Sequence, residues 1–127
     1  MKQFLPACLA ATFLLSACAS KPALPATDAA PHCGAQHYPF HALENDVQGD
    51  VVLRVDADAA GRVTQAAVLV PGPSRYLDSA ALEGVRSCRF AAGGAPRRLE
   101  VLVAYRFLNA SEFPAQGVVT IGLRPQP

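Results

Sequence analysis

The sequence predicts an α+β domain of two layers, with two helices packed on a three-stranded antiparallel sheet. Two segments of alternating apolar and polar residues, Asp50–Asp56 and Val63–Val70, flank a glycine-containing turn, which is typical of a β-hairpin. A segment with helical spacing and a third alternating strand follow. Because the helix returns the chain, the third strand runs antiparallel to the first, which predicts strand order 2-1-3 with the third strand at an edge.

Short-range signals define the first helix and the hairpin. Tyr38–Glu44 reads as one short helical segment, with Pro39 tolerated in its first turn. The turn Asp56–Gly61 ends in a glycine that suits a positive φ. Pro71-Gly72-Pro73 then ends the second strand.

The second helix and third strand have the clearest patterns. Ser74 is a candidate N-cap, and apolar or small residues recur at helical spacing from Leu77 to Cys88, which places Cys88 on the buried face. Leu99–Phe107 alternates with one wholly apolar face. The opposite face carries Arg98, Glu100, Leu102, Ala104 and Arg106.

Composition limits the function classes. The chain has 127 residues, 51% of them apolar and 17% charged, with a formal net charge of +1. It is long enough for one modest domain and has no charge excess that would favour nucleic acid. The sequence shows no nucleophile–base pair, convincing metal set or glycine-rich phosphate loop, so we expect no enzyme activity, cofactor or small-molecule substrate.

The N-terminus resembles an export signal. A basic start precedes the apolar stretch Phe4–Leu15, and Leu15-Ser16-Ala17-Cys18 resembles the bacterial lipobox. We therefore expect a signal peptide at 1–17 and a lipid on Cys18; the alternative is an ordinary secretory signal. Ala19, rather than Asp, follows the cysteine, which by lipoprotein sorting rules implies the periplasmic face of the outer membrane.

Three further regions are expected. Residues 18–32 comprise the lipidated cysteine and an Ala/Pro-rich linker, which reaches about 43 Å if it is polyproline-like. Residues 33–110 form the domain and 111–127 a tail. Within the tail, Gln116–Leu123 has strand character and either adds a fourth strand to the third or stays free.

The cysteines separate by position. Cys8 leaves with the signal peptide and Cys18 takes the lipid, which leaves Cys33 and Cys88 as an even pair in an oxidising compartment. A disulfide between them is expected to stabilise the domain by about 4 kcal/mol in the chain-entropy model. The alternative is two buried free thiols.

Each of two polar clusters has a structural and a functional interpretation. The first has His/Cys spacing that can bind zinc or copper, but a proline interrupts it and its cysteine has a disulfide partner, so we expect no metal. It consists of His32, Cys33, His37 and His41. The second is a solvated helix end or, alternatively, a patch for an acidic partner or phosphate-bearing lipid. It consists of Arg86, Arg89, Arg97 and Arg98.

Several short motifs resemble the TonB C-terminal domain family in order and spacing from Tyr38 to Leu108. They are Tyr38-Pro39 with Ala42, Gly49-Asp50-Val51, Val55-Asp56, Gly61-Arg62-Val63, Val68, Leu77-Asp78-Ser79-Ala80-Ala81-Leu82, Arg89-Phe90 and Val103-Ala104-Tyr105-Arg106-Phe107-Leu108. The resemblance implies a periplasmic α+β domain with two helices on a three-stranded sheet. It also implies that a peptide segment of an outer-membrane receptor pairs along the third strand.

These observations predict a non-enzymatic protein-binding module on a lipid-anchored protein. Its partner is an envelope or outer-membrane protein, bound by strand addition along Leu99–Leu108, with Arg98, Glu100 and Arg106 as side-chain readers. The lipid provides a membrane contact, and no nucleic acid is expected. The alternatives are a TonB-type component of energised transport and a structural scaffold lipoprotein without peptide recognition.

Overall fold

The computed structural model describes residues 30–108 and 116–125, which form two helices and four strands. In chain order these are α1 (Phe40–Glu44), β1 (Gly49–Ala57), β2 (Val63–Val70), α2 (Arg75–Val85), β3 (Arg97–Phe107) and β4 (Gly117–Leu123). The predicted signal peptide, the lipidation site Cys18 and the linker up to residue 29 lie outside the described residues.

The four strands form one antiparallel sheet in the order β2-β1-β3-β4. The α+β class and the predicted order of the first three strands are confirmed. β4 adds to the free side of β3, which is the arrangement expected if the tail supplies a fourth strand. β1 pairs with both β2 and β3 and is therefore the strand around which the core forms.

The turn between β1 and β2 is fixed by side-chain and backbone contacts. The Asp58 carboxylate accepts hydrogen bonds from the backbone N–H groups of Ala60 and Arg62, both at 2.9 Å. Gly61 has a φ of +86°, as the sequence predicts. A Cβ at Gly61 would overlap the carbonyl group of Phe90, so the turn packs tightly against the segment that follows α2.

α2 begins where the sequence predicts, but it ends at Val85, before the apolar pattern that continues to Cys88. The Ser74 hydroxyl accepts a hydrogen bond from the Tyr76 backbone N–H at 3.2 Å. After Val85 the backbone continues with tighter i to i−3 hydrogen bonds, the last from Cys88 N–H to the Val85 carbonyl. Cys88 is therefore buried just beyond the helix rather than within it.

α1 is shorter than predicted. It begins at Phe40 because Pro39, with a ψ of 133°, is still extended. Tyr38 lies before the helix with its side chain in the core, and its hydroxyl donates a hydrogen bond to the Val47 carbonyl at 2.5 Å.

The core lies on the helix-covered face of the sheet. Alternate residues of β1 and β3 point into it, together with one face of α2 and residues that flank the helices. Its buried members include Val51, Leu53, Val55, Leu77, Ala81, Val85, Phe90, Val101, Val103 and Tyr105.

Candidate functional site

β3, the strand predicted to form an open edge, is paired on both sides. Its residues from Val101 to Phe107 oppose β4, and two further backbone bonds, from Arg124 N–H and Leu108 N–H, extend the pairing at both ends. The prediction that β3 is the edge strand is therefore wrong. The alternating tail satisfies the N–H and C=O groups that would otherwise be unpaired, and the alternative of a fourth strand is confirmed.

The five residues predicted to form the partner-binding face of β3, which include the three side-chain readers, do lie on one face, the face opposite the helices. They are Arg98, Glu100, Leu102, Ala104 and Arg106. Leu102 sits between Val52 and Gly122 in the sheet register, and Ala104 sits between Asp50 and Thr120. The period-2 alternation of a strand explains why the sequence could place them together.

The charged members of this set already have partners within the domain. Arg98 pairs with Asp56 at 2.8 Å and Arg106 with Asp50 at 2.6 Å; Glu100 pairs with Arg124 at 3.1 Å. The hydrogen bond from Arg98 lowers the pKa of the Asp56 carboxyl group. These pairs are exposed, and such pairs usually contribute little to stability. The sequence pattern gave no sign of them because it does not specify register.

β4 is held at one place by a close fit to the helix side of the sheet. Gly117 packs on the Tyr38 ring so closely that a Cβ at this position would overlap the ring. Tyr38 in turn stacks on Phe107 with 5.7 Å between ring centroids and meets Tyr105 edge to face at 5.3 Å. The aromatic cluster therefore positions the start of β4.

A groove of about 350 Å³ runs beside β4 on the same side. It lies between the extended segment that precedes α1 and the inward-facing residues of β4. Its lining residues are Pro31, Cys33, Gly34, Gln36, Tyr38, Gly117, Val119 and Ile121.

The aromatic cluster predicts a loss of stability in alkali. Burial raises the pKa of Tyr105 well above its usual range, and the nearby Asp78 carboxylate acts in the same direction. Burial also raises the pKa of Tyr38, although Arg106 opposes this. Above about pH 10 the unfolded chain loses tyrosine protons that the folded chain retains, so the free energy of unfolding falls as pH rises.

Urea unfolding on either side of about pH 10 measures this effect. Tyr105→Phe should show a shallower alkaline decline than the wild type because it removes the most strongly affected phenol. Equal declines in the two proteins would contradict the assignment.

The predicted disulfide is present. Cys33 and Cys88 are bonded with an S–S distance of 2.00 Å and a sequence separation of 55 residues. The bond joins the segment before α1 to the end of α2, as predicted. The alternative of two free thiols is therefore wrong.

The residues of the first polar cluster make separate contacts. Cys33 is used by the disulfide, while His41 lies 3.1 Å from the Asn45 side-chain nitrogen and stacks on Tyr76. Within residues 30–108 and 116–125, no group of three or more His, Cys, Asp and Glu residues is placed to hold a metal ion.

Comparison with known proteins decides the family. A family model described as "Gram-negative bacterial TonB protein C-terminal" matches residues 34–108, which is more than half of the chain. The chain belongs to the TonB C-terminal domain family. The match ends at Leu108, so β4 lies beyond the part of this TonB-like domain that the family model covers.

Two curated relatives agree with this assignment. Protein TonB from each of two strains of Xanthomonas campestris pv. campestris is 44% identical to the chain over 53 residues. The aligned stretch covers 42% of this chain and 24% of each relative, so the similarity spans about a quarter of those proteins. Membership of the TonB family indicates a domain of the bacterial cell envelope. Neither described helix is long and apolar enough to cross a membrane.

Proposed function

We propose that this TonB-like domain is a non-enzymatic module that binds an extended segment of an envelope or outer-membrane protein as an added strand on β3. The observation that carries the proposal is β4 itself. A seven-residue extended segment already occupies this side of β3, in antiparallel register, and lies outside the family match. β4 is thus an internal occupant of the partner site, and the partner strand binds when β4 leaves.

β4 is suited to leave because it packs only at the margin of the core, through the half-buried side chains of Val119, Ile121 and Leu123. None of its side chains is buried, whereas β1 has five buried residues and β3 has three. Its sheet pairing is to β3 alone. Segments with few buried apolar contacts open at lower free energy than the rest of a domain.

Side chains at the end of β4 support the same exchange. Arg124 follows β4, pairs with the Glu100 carboxylate and donates its backbone N–H to the Glu100 carbonyl at 2.9 Å. When β4 leaves, both acceptors of Glu100 become available to a partner. A basic residue in the incoming segment would restore the lost ion pair.

The proposed anchor is a lipid on Cys18, which would hold the domain at the periplasmic face of the outer membrane. The lipobox resemblance supports this placement. Several acyl chains on one cysteine give firm attachment because each buried methylene contributes about 0.8 kcal/mol.

Truncation after Ala110 should increase partner binding because it removes β4. A partner binds only the molecules in which β4 has left, so the apparent affinity is the intrinsic affinity multiplied by that fraction. If the closed state is favoured by about 1.4 kcal/mol, truncation should raise the apparent affinity about tenfold. We would place a photo-cross-linking residue at Ala104 in the full chain in intact cells and compare adduct yield with and without the tail. Labelled fatty acid in the same cells reports acylation of Cys18.

A point substitution tests the cap without removing it. Gly117→Val should displace β4, because its side chain would overlap Tyr38, and should raise the yield of adducts. Gly122→Val is the matched control on the same strand, since a Cβ there meets nothing within 4 Å. A cross-linking residue at Ala60, in the exposed β1–β2 turn, controls for random collisions.

Two outcomes would contradict the proposal. If truncation changes neither adduct yield nor amide-exchange protection of β3, then β4 is not a removable cap. If Ala104 yields no adduct in any variant while the domain still co-purifies with envelope proteins, a scaffold without strand recognition is the better description.

A further inference from the structure

Three exposed side chains form a row where the N-terminal segment enters the domain. His32 and Arg89 are antiparallel bridge partners, joined by backbone hydrogen bonds of 2.9 and 2.6 Å, and Arg89 is also the bridge partner of Arg62. Side chains of directly opposed residues in an antiparallel pair lie on the same face. Arg62, Arg89 and His32 therefore stand side by side, and we name them the basic row.

The backbone under the basic row is held at several points. The Phe90 N–H donates to the Gly61 carbonyl at 2.8 Å, next to the bridge between Arg62 and Arg89. The disulfide joins Cys33 and Cys88, which directly adjoin His32 and Arg89 in sequence. The row is thus presented by fixed backbone rather than by a loose loop.

No side chain of the basic row belongs to an ion pair in the described part of the domain. The three ion pairs found there use Arg98, Arg106 and Arg124. Like charges placed directly opposite each other destabilise a strand pair, so the facing arginines Arg62 and Arg89 are unfavourable in the isolated domain. An anionic surface brought against the row would relieve that repulsion.

The structure also separates the arginines that the sequence groups together. Arg98 is paired with Asp56, and Arg97 turns inward to donate a hydrogen bond to the Ala91 carbonyl. Arg86 remains exposed at the end of α2, beside the first residues of β2. It lies three residues before Arg89 and adds a third guanidinium to this end of the domain.

We propose that the basic row docks on the phosphate groups of an anionic membrane surface. His32 is the last residue of the linker, so the row is the part of the domain attached most directly to the predicted lipid at Cys18. Residues 19–32 span about 43 Å if they are polyproline-like, which keeps the row near that surface. Guanidinium groups match phosphate oxygens in a two-pronged geometry. The inference is independent of strand addition at β3.

Vesicle sedimentation tests the proposal on the mature chain, residues 18–127 with Cys18→Ser, which contains every core residue of the described structure. It should bind phosphatidylcholine vesicles that contain phosphatidylglycerol, and not phosphatidylcholine alone. Each basic side chain near an anionic surface strengthens binding about fivefold, so Arg62→Gln with Arg89→Gln should weaken it roughly thirtyfold. Arg62→Lys with Arg89→Lys should restore most of it.

The matched control is Arg54→Gln with Arg75→Gln, which removes the same charge from exposed positions elsewhere that belong to no ion pair of the described residues. Circular dichroism of each variant checks the fold. Equal losses in the two glutamine pairs would show a net-charge effect and overturn the proposal. So would no binding of the wild type to anionic vesicles at low salt, or binding of the row to an acidic peptide but not to vesicles.

Discussion

Replacement of both Cys33 and Cys88 by alanine should lower the free energy of unfolding by about 4 kcal/mol. The disulfide closes a loop of 55 residues, and its loss restores conformational freedom to the unfolded chain. Folded domains of this size have free energies of unfolding of only about 5–15 kcal/mol, so the loss removes a large part of the total. Urea unfolding of oxidised wild type and double variant measures the difference.

The reducing agent provides the control for this experiment. Reduced wild type should unfold at nearly the same urea concentration as the double variant, and the double variant should not respond to reduction. A double variant within about 1 kcal/mol of the oxidised wild type would show that the unfolded state or the native segment near Cys33 compensates for the lost bond.

Leu77→Ala should lower the free energy of unfolding by about 3–4 kcal/mol. Leu77 is fully buried at 0% exposure and lies on the face of α2 that packs on the sheet, so truncation leaves a cavity as well as losing apolar burial. Because α2 packs on β1 and β2, the loss affects the β1–β2 hairpin as well as the helix.

The matched control for Leu77 is the same substitution at Leu108, which is 60% exposed and follows β3. Leu108→Ala should change stability by no more than about 0.5 kcal/mol. If the two variants unfold at similar urea concentrations, then the packing of α2 on the sheet contributes less to stability than its burial indicates.

Local patterns accounted for most of the fold. The alternating pattern of β3 correctly placed Arg98, Glu100, Leu102, Ala104 and Arg106 on the face opposite the helices. Gly61 has the expected positive φ, and Ser74 caps α2 as predicted. Each of these depends on residues close in sequence. The early end of α2 is also local, because the tighter hydrogen bonds after Val85 compete with continuation of the helix.

The candidate site was harder to predict because it depends on register. The pairings of Arg98 with Asp56 and Arg106 with Asp50 exist because β1 and β3 align over nine residue pairs, which alternation alone does not specify. The position of β4 depends on whether this short, half-buried segment with two glycines pairs with β3 or stays in solvent. The close contact between Gly117 and Tyr38 helps to position the strand, and no sequence motif indicates this contact.

The basic row shows the same limit. In the sequence, Arg89 is grouped with Arg97 and Arg98, whereas in the fold it faces Arg62 and His32 from distant parts of the chain. The four arginines that are close in sequence therefore comprise one member of the basic row, Arg86 beside it, and two residues engaged elsewhere.

The bond between Cys33 and Cys88 also determines how the domain responds to tension. If a partner strand binds β3 as proposed, a pull between the linker and that strand enters at Cys33 and crosses directly to Cys88 through a covalent bond. Residues 34–87, which include α1, β1, β2 and α2, lie outside the path of the load. Between Cys88 and β3 the chain contains only residues 89–96, so such a pull need not unfold the two helices or the β1–β2 hairpin.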